Sequence, residues 1–160
     1  YAATVDQIYS FRHPDVHTEV WFVALGSELA GNAGMSAFIE QHADELKGAI
    51  VVELDGLGAG DLTLIEREGT YRPVKSSSRM KRFTRKAATA LGISVGSSTM
   101  LWKDGAAAYA ARHGVQTMHM AGLANGKPAY FGEDRDTYDK VDENTMLVNA
   151  DFIMEVLKNV

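Results

Sequence analysis

Two carboxylates in this chain stand where acids can do chemistry. Glu28 follows the apolar run Glu19-Val20-Trp21-Phe22-Val23-Ala24-Leu25 and the turn Gly26-Ser27. Asp55 closes a second apolar run, Ala49-Ile50-Val51-Val52-Glu53-Leu54, and opens the glycine-rich turn Gly56-Leu57-Gly58-Ala59-Gly60. Short runs rich in aromatic and β-branched residues, ended by glycine, predict strands buried on both faces. In open α/β sheets, ligand sites gather at the carboxyl ends of such strands. Two acids placed there on neighbouring strands can bind a divalent metal through oxygen or divide general-acid and general-base roles. The glycine turn lacks the spacing and the following helix of a dinucleotide-binding fingerprint.

Elements that would position these acids can be read from periodicity. Ala2 to Arg12 predicts a helix, broken at Pro14-Asp15 before the first strand. A second helix runs from Gly34 to about Lys47, with Met35, Phe38, Ile39 and Leu46 at helical spacing and Gly48 as its stop. Leu62 to Ile65 predicts a strand at the sheet edge. Ser76 to Leu91 predicts a helix capped by a serine. Asp104 to Arg112 is alanine-rich and helical, and Val115 to Met120 is a short strand. Asn125 to Pro128 is a loop, and Glu133 to Asp136 is exposed. A last helix follows Asp142, with Met146, Leu147, Ala150, Ile153, Met154 and Leu157 as its buried stripe. Helices and strands alternate, so the class is α/β, three layers, with a mixed and mostly parallel sheet between helices.

Composition bounds the function. The chain has 160 residues, 46% hydrophobic and 23% charged, the balance of a globular domain with a core. No apolar run is long enough to span a bilayer as a helix, and no basic-then-apolar leader opens the sequence. The chain starts at Tyr1 without methionine, which predicts that further sequence preceded it. There are no cysteines, which excludes disulfides and thiolate metal sites. A net charge of −5 gives no general drive toward nucleic acid or anionic membrane. Lys75, Arg79, Lys81, Arg82, Arg85 and Lys86 form the main basic cluster. It reads as a solvated helix face, and no base-stacking aromatics are interleaved to favour nucleic acid over it. His13, His17, His42, His113 and His119 read as surface or satisfied core residues, with no ligand spacing on a helix. Trp21 reads as core, while Trp102 and Tyr130 fall near the rim of the predicted site.

Several segments together carry a resemblance. Gly26-Ser27-Glu28-Leu29-Ala30-Gly31-Asn32-Ala33-Gly34 resembles the G-[AS]-E-E-x-G-x-x-G segment of the zinc aminopeptidases of metallopeptidase family twenty-eight, which includes glutamate carboxypeptidase-like and transferrin-receptor-like domains. Glu53-Leu54-Asp55-Gly56-Leu57-Gly58 is similar to its N-L-D-x-x-G segment, and Lys103-Asp104-Gly105 to its S-D-H segment. Asp136-Thr137-Tyr138-Asp139-Lys140-Val141-Asp142 resembles its D-T-x-D-K-[IV]-D run. The segments occur in the family's order over nearly the whole chain. The resemblance implies a single peptidase-like domain over residues 1–160, with the zinc-exopeptidase (phosphorylase/hydrolase-like) fold and without the family's N-terminal part.

The resemblance also implies a site. Complete relatives hold two zinc ions that activate a bridging water for peptide-bond hydrolysis. Glu28 matches their general base and Asp55 one zinc ligand. A second ligand position is Leu29 and a third is Gly132, neither of which has a side chain able to bind metal. The remaining histidine and bridging aspartate would lie upstream. The implied reading is therefore a zinc-exopeptidase-family domain that binds no zinc pair and does not hydrolyse peptides. The alternative is a non-catalytic binding or assembly module that keeps the fold for its surface. Either would meet a peptide or a protein partner, not nucleic acid or membrane.

Overall fold

A computed structural model of the chain describes residues 19–160. The helix predicted over Ala2 to Arg12, with His13 and His17, lies outside the described residues. Six strands form one mixed sheet: β1 (Ile50–Asp55), β2 (Asp61–Glu68), β3 (Val74–Lys75), β4 (Gly96–Met100), β5 (Gln116–Ala124) and β6 (Lys127–Pro128). Among the described residues four α-helices accompany them: α1 (Ala33–Gln41), α2 (Ser78–Leu91), α3 (Ala106–Arg112) and α4 (Glu143–Leu157). β1 pairs with β5 in parallel, β5 with β2 antiparallel, and β2 with β4 in parallel. The short strands β3 and β6 add antiparallel pairs to β2 and β5.

Alternation along the strands separates two faces. Met118 and Met120 of β5, with Leu62 and Leu64 of β2, meet Met80, Phe83 and Ala87 of α2 and Phe152, Ile153 and Val156 of α4. That apolar layer is the main core. On the opposite face β5 presents Thr117, His119 and Ala121, and α3 packs there through Ala107, Ala108 and Ala110, all buried. The small side chains of α3 bring its backbone close to the sheet, and α1 packs outside it. The result is three layers, helices on both faces of a mixed sheet.

Four expectations are corrected. Glu19 to Leu25 forms no strand; Val20, Trp21, Phe22 and Val23 are 39–43% exposed. A run apolar on every side is buried as a strand only when hydrogen-bonded neighbours flank it, and among the described residues none does. Trp21 is accordingly not core but lies edge-on to Phe38 and His42, with ring centroids 6.2 and 5.0 Å away. Second, α1 ends at Gln41 rather than near Lys47, and residues 42–48 continue as turns that close on Gly48 at φ +80°. Third, Leu62 to Ile65 belongs to β2, which is central and buried because β4 and β5 both pair with it. Fourth, the stripe of α4 is wider than expected: Phe152 and Val156 are fully buried beside Ala150, Ile153 and Met154, whereas Leu147 is 46% exposed. The sequence reading also passed over β4, whose Gly96-Ser97-Ser98-Thr99 lacks an apolar signal.

α4 begins where Asp142 was expected to start it. The Asp142 carboxylate accepts a hydrogen bond of 2.6 Å from the Thr145 backbone N–H. That bond holds the Asp142 pKa below its ordinary 3.8. A group with a lowered folded pKa contributes stability above its unfolded value and loses it as pH falls. Asp142→Ala is therefore expected to lower the melting temperature at pH 5 by a few degrees and to lose less than the wild type between pH 4 and 2. Thermal unfolding followed by circular dichroism across that range checks both.

Candidate functional site

The site begins with a turn of unusual backbone. Ser27 is left-handed at φ +58°, ahead of a short 3₁₀ turn over Glu28–Ala30, and Asn32 is left-handed at φ +59°. Non-glycine residues held there are costly and need local support. Asn32 has it: its side chain is buried and its amide donates 2.8 Å to the Asp104 carbonyl. That bond ties the Glu28 turn to the loop between β4 and α3. Gly34 cannot carry a side chain here, since a Cβ would lie 2.3 Å from the Gly26 carbonyl oxygen.

Glu28 and Asp55 are brought together, but a third residue joins them. The Lys103 ammonium lies 2.8 Å from Glu28 Oε1 and 3.1 Å from Asp55 Oδ2. Lys103 is only 8% exposed, whereas the Glu28 and Asp55 side chains are 38% and 29% exposed. Burial pulls the lysine pKa down, and Glu28 and Asp55 outweigh it, so the pKa is raised and the ammonium stays charged at neutral pH. The Phe131 ring lies 5.2 Å from the ammonium, and Trp102 packs on Phe131 at 5.5 Å between centroids. The two rings make an aromatic wall beside the pair, as the rim position of Trp102 suggested. Tyr130 instead meets the Arg135 guanidinium at 5.4 Å.

A second, deeper cluster went unread in the sequence. Glu53 of β1 stands in register with His119 of the parallel strand β5. Glu68 ends β2. His119 Nδ1 lies 2.9 Å from Glu68 Oε2 and 3.7 Å from Glu53 Oε2. The start of α3 supplies backbone donors: Gly105 N–H to Glu68 Oε1 at 2.5 Å and Ala107 N–H to Glu53 Oε2 at 2.7 Å. Burial raises the Glu53 pKa against the opposing pull of His119. Burial lowers the His119 pKa, but Glu68 and Glu53 prevail and raise it. His119 is thus neither a surface nor an ordinary satisfied histidine, because among the described residues its buried Nε2 has no hydrogen-bond partner. The signal that could have found Glu53 and His119 is a charged or polar residue inside an otherwise apolar strand.

Of the other described histidines, His113 is on the surface as expected, whereas His42 has a buried Nδ1 with no hydrogen bond among the described residues, 3.5 Å from Glu45 Oε1. His113 Nδ1 contacts the Tyr109 carbonyl at 2.9 Å on the surface, and His42 packs on aromatic rings. On the basic helix α2, Lys81 pairs with Glu66 at 3.2 Å and Arg79 and Arg82 lie over Phe83. Leu29 is 84% exposed, and Gly132 turns at φ +70°.

Comparison with known proteins bears on the fold and the family. No curated protein matches the chain. Among solved structures, LapB from Legionella pneumophila aligns with TM-score 0.72 and 16% identity over 86% of this chain and 38% of its own. BSAP, a zinc aminopeptidase from Bacillus subtilis, aligns with TM-score 0.66 and 16% identity over 84% of this chain and 34% of its own. The 5′-methylthioadenosine/S-adenosyl homocysteine nucleosidase of Campylobacter jejuni aligns with TM-score 0.57 and 13% identity over 81% of this chain and 77% of its own. At such identities the likeness is one of fold, and the chain spans little more than a third of LapB and BSAP. The profile of peptidase family M28 matches residues 2–157, nearly the whole sequence, and the chain belongs to that family.

Proposed function

We propose that this chain is a peptidase-family domain that does not hydrolyse peptides through a zinc pair, and that it serves instead to bind a peptide or protein partner. One observation carries the reading: the Lys103 ammonium stands between Glu28 and Asp55, where a metal would need those oxygens. A fixed cation 2.8 and 3.1 Å from the two acids repels a second cation and neutralises one of their two charges. The donor set agrees. Leu29 offers no ligand atom and Gly132 no side chain, so Asp55 has no metal-binding companion from the family's pattern. A zinc pair does not fit these residues. In this reading Glu28, the counterpart of the family's base, is an ion-pair partner of Lys103 rather than a base for water. The aromatic wall of Trp102 and Phe131, both partly exposed, is the contact surface the cleft keeps.

The test is a zinc titration by calorimetry alongside turnover of aminoacyl and dipeptide reporter substrates. The expected result is no turnover at any zinc concentration and a zinc stoichiometry that Glu28→Gln and Asp55→Asn leave unchanged. Turnover that zinc restores and Glu28→Gln abolishes would overturn the reading and make Glu28 a general base.

A further inference from the structure

We propose that Glu53, Glu68 and His119 form a binding site for one divalent transition-metal ion, zinc by its donor chemistry, separate from the Glu28–Asp55 cleft. The three side chains come from three hydrogen-bonded strands, β1, β2 and β5, and their ligand atoms all lie within 4.8 Å of one another. Donors bound to one tetrahedral zinc at ordinary bond lengths sit about 3.4 Å apart. The distances of 2.9 and 3.7 Å from His119 Nδ1 to the two carboxylates straddle that value. One imidazole nitrogen with two carboxylate oxygens, and no thiolate, suits zinc, manganese or ferrous iron rather than copper(I). The affinity order of divalent ions on such a site favours zinc among the three. Three protein ligands leave a fourth position open.

Charge points the same way. The Glu53, Glu68 and His119 side chains are 10%, 4% and 1% exposed. Among the described residues no lysine or arginine forms an ion pair with either glutamate, so two buried carboxylates share one imidazole. Buried charges are paired or coordinate metals, and a divalent ion would balance both acids. The supporting shell is already built. Gly105 and Ala107 N–H groups orient the carboxylates, as outer hydrogen bonds orient metal ligands.

The His119 Nε2 atom, on the side of the ring away from the carboxylates, is buried and has no hydrogen-bond partner among the described residues. If Nδ1 faces an ion, Nε2 must carry the proton and needs an acceptor. The ring lines a cavity of about 10 Å³ shared with Ser76 and Thr117, room for one water that could accept that proton. The rival arrangement is two protons in place of the ion, giving a charged imidazole beside a neutral Glu53.

This inference does not rest on the reading of the Glu28–Asp55 cleft, and one set of proteins separates the two. Chelator-stripped full-length chain is re-equilibrated with zinc or cobalt(II), and bound metal is measured by mass spectrometry and by cobalt absorption. Wild type and the double variant Glu28→Gln/Asp55→Asn are expected to hold one ion per chain with intense tetrahedral cobalt bands. Glu68→Gln is expected to bind at least tenfold more weakly. Wild-type cobalt protein should also show one strongly shifted exchangeable imidazole proton, the Nε2–H of His119, which needs no variant that might misfold. A wild type that binds no ion overturns the proposal, as does one whose ion is lost in the double variant or which lacks the shifted proton.

Discussion

Gly105→Ala is expected to destabilise the domain by about 3–5 kcal/mol. Gly105 is the residue before α3, and its φ of −86° is open to any amino acid, so the cost is steric and electrostatic rather than conformational. A Cβ there would lie 2.4 Å from Glu68 Oε1 and 2.6 and 2.8 Å from the two oxygens of Glu53. No real contact of that kind is that short, so one or both carboxylates must move. These oxygens are the flexible ends of their side chains, so the cost is set by the partners they leave. Glu68 is buried and Glu53 nearly so, each accepts a backbone hydrogen bond at the start of α3, and both face His119. Displacing one removes a hydrogen bond from a buried charge and separates it from the imidazole, the kind of loss that exceeds ordinary overpacking. Urea unfolding measures it. Gly26→Ala is the control, because a Cβ at Gly26 meets nothing within 4 Å and the substitution should change stability by less than about 0.5 kcal/mol. An unfolding midpoint for Gly105→Ala equal to that of the control would show that the carboxylates are not confined as described.

Lys103→Met should cost about 1–3 kcal/mol. Methionine keeps most of the aliphatic stem against Phe131 but removes the charge that joins Glu28 to Asp55. Two carboxylates then face each other across the cleft. Because both are about one-third exposed, water re-solvates them in part, which keeps the loss below that of a fully buried pair. A double-mutant cycle of Lys103→Met with Asp55→Asn isolates the ion pair, and a coupling energy of about 0.5–3 kcal/mol is expected. Additive single effects would mean that Lys103 contributes only packing. The same variant bears on function. With the ammonium gone, the cleft acids are free to attract a cation, so a new weak zinc event confined to Lys103→Met would support the view that the lysine occupies the metal's place.

Much of the scaffold was legible because local pattern and tertiary role agree. The continuous apolar run from Ala49 to Leu54 and the helical spacing of Met35, Phe38 and Ile39 each state an element in their own pattern. Asp142 announced a helix start that its bond to Thr145 fulfils. The opening run from Glu19 to Leu25 misled for a related reason: its apolar character specifies burial but not which partners would bury it. Glu68 was hidden by a register change. Leu62 and Leu64 face the α2–α4 core, so counting by two along β2 sends Glu68 to that side as well. The pairing of β2 with β4 slips between Ile65 and Arg67, a bulge that turns Glu68 to the opposite face, toward His119 and Gly105.

The amino-acid order by itself determined the α/β class, most of the helices and strands, and the family, and it singled out Glu28 and Asp55 as candidate acids after apolar runs. These follow from periodicity and short motifs, which act over a few residues. Only the tertiary structure decided that Lys103 joins those two acids, and that Glu53, Glu68 and His119 meet beneath α3. Both groupings bring together residues dozens of positions apart, through sheet register, a β-bulge and a glycine that leaves room for two carboxylates. Such convergence depends on how strands are ordered in space, and no local spacing encodes that order.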